Sequence, residues 1–177
     1  GVLGTVRREK EEAVSSTIVL LDAEVTRRTA HLKDLYLETV LALSAAIEAK
    51  NAYTHGHCNR VWSFARAAGE RLGLGPDELL ELRYACYLHD VGKIHIPDHV
   101  LDKAGPLTAE EFAIVQGHPA AGEAILLPIR GFRRVAALVR SHHERLDGSG
   151  YPDGLAGESI GLPTRILAVA DSLDAMT

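Results

Sequence analysis

Apolar residues recur at Ile18, Leu21, Val25, Leu32 and Leu35 with heptad spacing, and from Arg7 to about Lys50 the chain contains neither Gly nor Pro. An apolar seam of that period, free of helix breakers, predicts one long helix. Arg28 interrupts the seam, and only about three heptads are sustained. The stretch therefore reads either as one strand of a dimeric coiled coil or as a helix packed on its own domain.

Beyond Asn51 the pattern changes. Gly73, Gly75-Pro76, Gly105-Pro106, Pro119, Pro128, Gly131 and a glycine-rich stretch from Gly148 to Gly161 divide the chain into short helical segments. Pro76 ahead of Asp77 and Glu78 marks one helix start, and Thr108 with Glu111 makes a capping-box pattern at another. Helices are predicted over about 57–72, 76–90, 108–117, 119–127, 131–143 and 162–176. Sustained period-two alternation of β-branched residues is absent, so the predicted fold class is all-α. Trp62, Phe64 and Tyr84 fall among apolar neighbours at helical spacing and are read as core.

Composition narrows the function. A chain of 177 residues, 46% hydrophobic and 24% charged, can bury one sizeable core. Its net charge of -5, with both signs mixed along the chain, offers no basic face for tracking DNA. The longest apolar stretches, Ile18 to Leu21 and Ala124 to Ile129, fall short of the roughly 20 residues a bilayer span needs, so no membrane insertion is expected. Cys58 and Cys86 have no paired spacing, which suggests neither a disulfide framework nor a thiolate zinc site and fits a reducing cytoplasm.

The chemistry lies in the histidines. Five of the nine occur in settings that also contain acids or each other, at His57, His89-Asp90, His118 and His142-His143, and Asp171 closes the set. Imidazole nitrogens with carboxylate oxygens suit borderline divalent metals such as iron, manganese, zinc or nickel. Seven candidate ligands exceed the needs of one ion that keeps room for water and substrate, which implies at least two ions sharing a carboxylate, with Asp90 as the bridge. His31, His55, His95 and His99 are read as bystanders. Ser141 and Ser149 sit in no G-x-S-x-G elbow, so serine catalysis is set aside.

The run His89-Asp90-Val91-Gly92-Lys93-Ile94, then Ile96-Pro97-Asp98, His142-His143-Glu144 and Asp147-Gly148-Ser149-Gly150-Tyr151-Pro152-Asp153-Gly154, resembles the HD-GYP family, named for two of these motifs. Tyr53-Thr54 with Gly56-His57, Gly117-His118-Pro119, Ile166 to Asp171 and Asp174 to Thr177 extend the likeness over roughly Leu41 to Thr177. The resemblance implies a helical bundle of the HD superfamily over 41–177, preceded by a leading helix or signalling linker over 1–40. It implies a metal-dependent phosphodiesterase that cleaves cyclic di-GMP to the linear dinucleotide, and in some members onward to GMP, in bacterial second-messenger signalling.

Carried over position by position, the family's metal ligands fall on His57, His89, Asp90, His118, His142, His143 and Asp171, holding two divalent transition-metal ions, iron or manganese ahead of zinc or nickel. Asp90 and Lys93 are the catalytic residues this implies, Lys93 matching a lysine that faces a substrate phosphate. Arg145, next to the ligand pair, would add a second positive charge. The Gly150-Tyr151-Pro152 loop would shape the pocket and, in such proteins, is linked with docking onto diguanylate cyclase domains. An upstream sensory or receiver domain, and a second copy bound through the leading helix, are the other partners expected.

Family members with a third metal carry a glutamate four residues before the first histidine ligand; Tyr53 stands there, so two ions are expected. The family also continues past this point with an arginine-bearing loop and further helix, so the domain is expected to be truncated at its C-terminal end. Two other functions compete: an HD-type hydrolase of another phosphoester, and a non-catalytic module binding nucleotide or partner. The complete ligand set argues against the second.

Overall fold

The structure, a computed structural model, describes residues 2–48 and 56–177, with side chains from 14 onward and at Lys10. Tyr53 and His55 lie outside the described residues. By internal contacts the chain divides into two units, Gly1–Thr39 and Val40–Thr177. No strand forms among the described residues, and an isolated bridge joins Asp147 to Ala156.

Helix α1 runs over Val2–Glu48, as the absence of Gly and Pro predicts. In the first unit its seam residues Ile18, Leu21, Val25, Leu32 and Leu35 each expose half or more of their surface. Arg28, which breaks the seam, shares the carboxylate of Glu24 with Arg27, at 2.6 and 2.9 Å, so both guanidiniums are held along their own helix.

In the second unit, α2 (His57–Arg71), α3 (Pro76–Leu88) and α8 (Leu162–Met176) pack together, and α6 (His118–Leu126) packs on α7 (Arg133–Ser141), which also meets α3. Short helices α4 (Asp98–Leu101) and α5 (Ala109–Gln116) lie between. Val61, Leu82, Leu88, Val135, Val139 and Leu167 form the fully buried centre. The caps are those the sequence predicts. Thr108 accepts from the Glu111 amide at 3.2 Å while the Glu111 carboxylate accepts from the Thr108 amide at 2.7 Å, and Glu78 reaches back to the Gly75 amide.

Three differences from the predicted pattern matter. The helix expected over 76–90 stops at Leu88, so that His89 and Asp90 leave it into a 3₁₀ turn, Val91–His95. That turn and α4 are too short to show a hydrophobic period. Phe64 is not core: α2 buries Cys58, Val61, Ala65 and Gly69, and Phe64 falls off that stripe, 40% exposed. Trp62 is half-buried with the Arg83 guanidinium 5.7 Å over its ring, while Tyr84 is buried against Phe132.

One glycine sets the approach of two site-bearing elements. A Cβ at Gly92 would collide with the backbone carbonyl of His118 and come 2.6 Å from the Gly122 nitrogen. Only a glycine lets the 3₁₀ turn lie this close to α6, which brings Asp90 beside His118.

Candidate metal centre

The seven residues come from helix ends and one helix interior. His57 opens α2, His89 caps α3, Asp90 begins the 3₁₀ turn, His118 opens α6, His142 caps α7 with His143 following, and Asp171 lies inside α8. Helix ends suit this purpose because their last carbonyls have no partner within the helix. His89 Nδ1 donates to Cys86 O at 2.9 Å, His118 Nδ1 to Val115 O at 2.7 Å and His142 Nδ1 to Val139 O at 2.6 Å, each three residues back in a helix's last turn. A carbonyl only accepts, so each Nδ1 carries a hydrogen, and each ring, when neutral, turns its Nε2 lone pair inward.

His57 is oriented differently. Its Nδ1 donates to Asp174 Oδ2 at 2.7 Å, and Arg60 grips the same carboxylate from Nε at 2.7 Å and from Nη2 at 2.9 Å. Upstream, the Glu48 carboxylate accepts from the Gly56 amide at 3.0 Å and the Cys58 amide at 2.9 Å, bracketing His57 at the start of α2. Gly56 turns the chain into the helix at a left-handed φ of 72°, which glycine adopts without strain.

The inward atoms form two groups, His57 with His89 and Asp90, and His118 with His142 and His143, each with one ligand atom per residue inside a 4.8 Å span. Asp171 Oδ1 joins the first group, 3.2 Å from His57 Nε2 and 3.5 Å from His89 Nε2. Asp90 faces both: Oδ2 lies 3.6 Å from His89 Nε2 and Oδ1 3.5 Å from His118 Nε2. The structure thus brings all seven residues together around one carboxylate.

The donor set fits divalent cations. His57 Nε2 lies 3.4 Å from His89 Nε2, and His118 Nε2 lies 3.3 Å from His142 Nε2. Two inward lone pairs at that distance repel unless positive charge lies between them, and about 3.0–3.4 Å is the separation of neighbouring nitrogens on an ion with bonds of roughly 2.1 Å.

Electrostatics separate the two groups. Burial pushes His89 down, but Asp90 and Asp171 outweigh it and raise it to about 9. Asp171 likewise raises His57 against burial, with help from Asp174. In the other group burial wins: His118 is lowered, His142 well below the ordinary value, and His143 to about 4, with neighbouring imidazoles adding to the effect. Asp90 and Asp171 are half-buried, and desolvation alone would raise them, yet the adjacent histidines, with Lys93 beside Asp90, hold both well below the carboxylate range. Without metal, the first group carries the positive charge its carboxylates demand as protons, while the second stays neutral.

A cleft of about 890 Å³ opens against His142 and His143. Arg145, Gly150 and Tyr151 line it, and the Tyr151 ring lies 4.8 Å from that of His143. Lys93 and Pro152, expected to bind substrate, are not among the residues lining this cleft. Lys93 is drawn to Asp90 Oδ2 at 2.6 Å by their ion pair. Pro152 precedes the Asp153 and Leu155 amides, which donate to the buried Glu144 carboxylate at 2.7 and 2.9 Å, so it belongs to the loop's anchor. Arg140 fastens the same loop, forked onto Asp153 at 2.6 and 2.7 Å and bound to Glu123 at 2.7 Å. A Cβ at Gly150 would meet His143 O at 2.6 Å, so glycine lets the loop close over the ligand pair.

Sequence reasoning missed Asp174, Arg60 and Glu144. Asp174 lies three residues after Asp171 on α8, which puts it on the same face, and Glu144 directly follows the histidine pair. His95 and His99 are exposed, as is His31. Ser149 donates its hydroxyl to Asp147 at 2.6 Å within its own turn.

The HD domain family profile matches residues 41–177. The chain belongs to the HD domain family. It is 40% identical over 171 residues, 96% of its length, to the cyclic di-GMP phosphodiesterase response regulator RpfG of Xanthomonas campestris, of which it covers 45%. It is also 40% identical over 147 residues to the 3'3'-cGAMP-specific phosphodiesterase 3 of Vibrio cholerae, with 82% of this chain and 32% of that protein covered. The cyclic di-GMP phosphodiesterase of Thermotoga maritima is 37% identical over 169 residues, with 93% of this chain and 45% of that protein covered. The chain thus spans less than half the length of these curated relatives. Among solved structures, the cyclic GMP-AMP-specific phosphodiesterase of V. cholerae superposes with a TM-score of 0.60 at 22% identity, over 78% of this chain and 40% of that one. The HD domain of the Listeria monocytogenes phosphodiesterase PgpH gives 0.56 at 21%, over 76% and 72%. Both share the HD fold.

Proposed function

We propose that this HD domain is a metal-dependent phosphodiesterase that hydrolyses cyclic di-GMP to the linear dinucleotide. The observation that carries the reading is the placement of Asp90 between two histidine groups, one of which opens onto a cleft through His142 and His143. His57, His89, Asp90 and Asp171 would hold one divalent ion, and His118, His142, His143 and Asp90 a second, iron or manganese ahead of zinc or nickel. When bound, such ions supply Lewis acidity that makes water a nucleophile at neutral pH and offsets charge on phosphate. The chain's own residues do the rest. The carbonyls of Cys86, Val115 and Val139 fix the ring tautomers, and Asp174 fixes His57. Lys93, paired with Asp90, offers its ammonium to a phosphoryl oxygen, and Arg145 offers a second cation from the cleft wall. Tyr151 and the Glu144-anchored loop shield the His143 side.

Chromatography of products from the metal-loaded protein with cyclic di-GMP tests this. Linear dinucleotide is expected, and Lys93→Ala should slow its formation roughly 100-fold while metal content holds. No cleavage by fully loaded protein overturns the reading. The V. cholerae relatives named as 3'3'-cGAMP-specific favour a second substrate, 3'3'-cGAMP, which the same assay distinguishes by competition.

The exposed seam of α1 supports self-association through residues 14–42, with an input domain acting from the N-terminal side. Dimers by ultracentrifugation, abolished when Leu21 and Leu32 are both replaced by Glu, are expected; a monomer unaffected by the change excludes the coiled coil. No described helix is long and apolar enough to cross a membrane. Two buried free thiols agree with a cytoplasmic site of action.

A further inference from the structure

Helix α5 buries none of its residues, yet it carries a phenylalanine. Phe112 is 46% exposed and lines the cleft, so its ring does not serve the core. It stands edge-on to Tyr151, ring centroids 6.4 Å apart at 79°, and Tyr151 in turn lies 4.8 Å from the His143 ring. Three rings therefore lead from the centre outward, with Phe112 one aromatic ring beyond the residue that touches the candidate ligands. A nucleotide whose phosphate meets the centre carries its base one ribose further out.

Gln116 lies one helical turn after Phe112 and also lines the cleft. Its amide both donates and accepts, the pairing that a purine's hydrogen-bonding edge requires, whereas a lysine or an acid would answer only one side of that edge. An aromatic face with an adjacent amide at a cleft wall is the arrangement that holds an unpaired base.

We propose that Phe112 and Gln116 form the subsite for one purine base of the substrate, Phe112 by stacking and Gln116 by hydrogen bonding to the base edge. The subsite rests on the phosphodiesterase reading above, and it adds a residue pair that selects among nucleotides. α5 is well suited to that task, since no buried residue ties its sequence to the core. Its start is fixed by the Thr108–Glu111 cap.

The test compares cyclic di-GMP with its abasic analogue, the same phosphodiester ring carrying no bases and no aromatic group, on the metal-loaded protein. Calorimetric binding of cyclic di-GMP to the metal-free protein gives a readout independent of turnover. Phe112→Ala should raise KM for cyclic di-GMP and weaken its binding by about 5- to 150-fold, the range expected for loss of one base stack, with kcat nearly constant and the base-free substrate unaffected. Phe112→Trp should restore both. Gln116→Ala should narrow the preference between cyclic di-GMP and cyclic di-AMP and leave the base-free substrate unaffected. Equal losses on both substrates, or no change in KM and binding with cyclic di-GMP, overturn the subsite while the enzyme stands. Wild-type protein that cleaves no cyclic dinucleotide overturns the enzymatic reading and the subsite with it.

Discussion

Asp174 holds His57 by its Nδ1 at 2.7 Å while being held itself by both nitrogens of the Arg60 fork. The carboxylate is buried and carries the only described orienting contact of His57 Nδ1, where the other Nδ1 donors use helix-end carbonyls. Asp174→Asn keeps the shape, removes the charge and breaks the Arg60 fork. Metal affinity should fall about 10- to 100-fold with the fold intact, the usual effect of losing such a partner. Competition against a chelator of known affinity checks it, and unchanged affinity would remove Asp174 from the assembly.

Glu144 accepts two amide hydrogens from the loop that carries Tyr151. Glu144→Gln turns one acceptor into a donor facing an N–H in a buried position. The cost should be on the order of 1–3 kcal/mol. Urea unfolding with unchanged m-value is the measurement, and a shift within error would show that the loop is held elsewhere, with Arg140 as the next candidate.

The metal-free protein should be most stable near pH 6.5. His143, lowered to about 4, and His118 and His142, also lowered, bind protons less readily folded than unfolded, so stability falls as pH drops from about 6.5 toward 4. His89, raised to about 9, and His57, also raised, contribute stability fully present below about 6.5 and lost as pH rises through 9. Thermal unfolding of chelated protein across this range should trace a dome. A monotonic rise through pH 9 would contradict the protonated state assigned to the first group.

The helices were legible because their apolar period and caps are local properties, as Thr108–Glu111 and Pro76 illustrate. All seven candidate ligands were legible as residue types, and the structure adds which Nε2 faces which. The arrest of α3 at Leu88 was not legible, because it follows from the close approach of Gly92 to His118, twenty-six positions along the chain. Phe64 misled for a related reason: apolar neighbours mark a helix, but which stripe is buried depends on α3 and α8 packing beside it. Lys93 was read toward substrate, and the ion pair with Asp90 became visible only with coordinates.

Two ions sharing Asp90 are what the seven-residue centre is built to hold. Anomalous diffraction at the iron and manganese edges, paired with metal-to-protein stoichiometry on wild type and Asp90→Asn, tests this most directly. Wild type should hold two ions, one among His57, His89 and Asp171 and one among His118, His142 and His143, with Asp90 reaching both. Asp90→Asn should lose at least one. A single ion, a third ion, or a pair that leaves out His118 or survives unchanged without the Asp90 charge would contradict it.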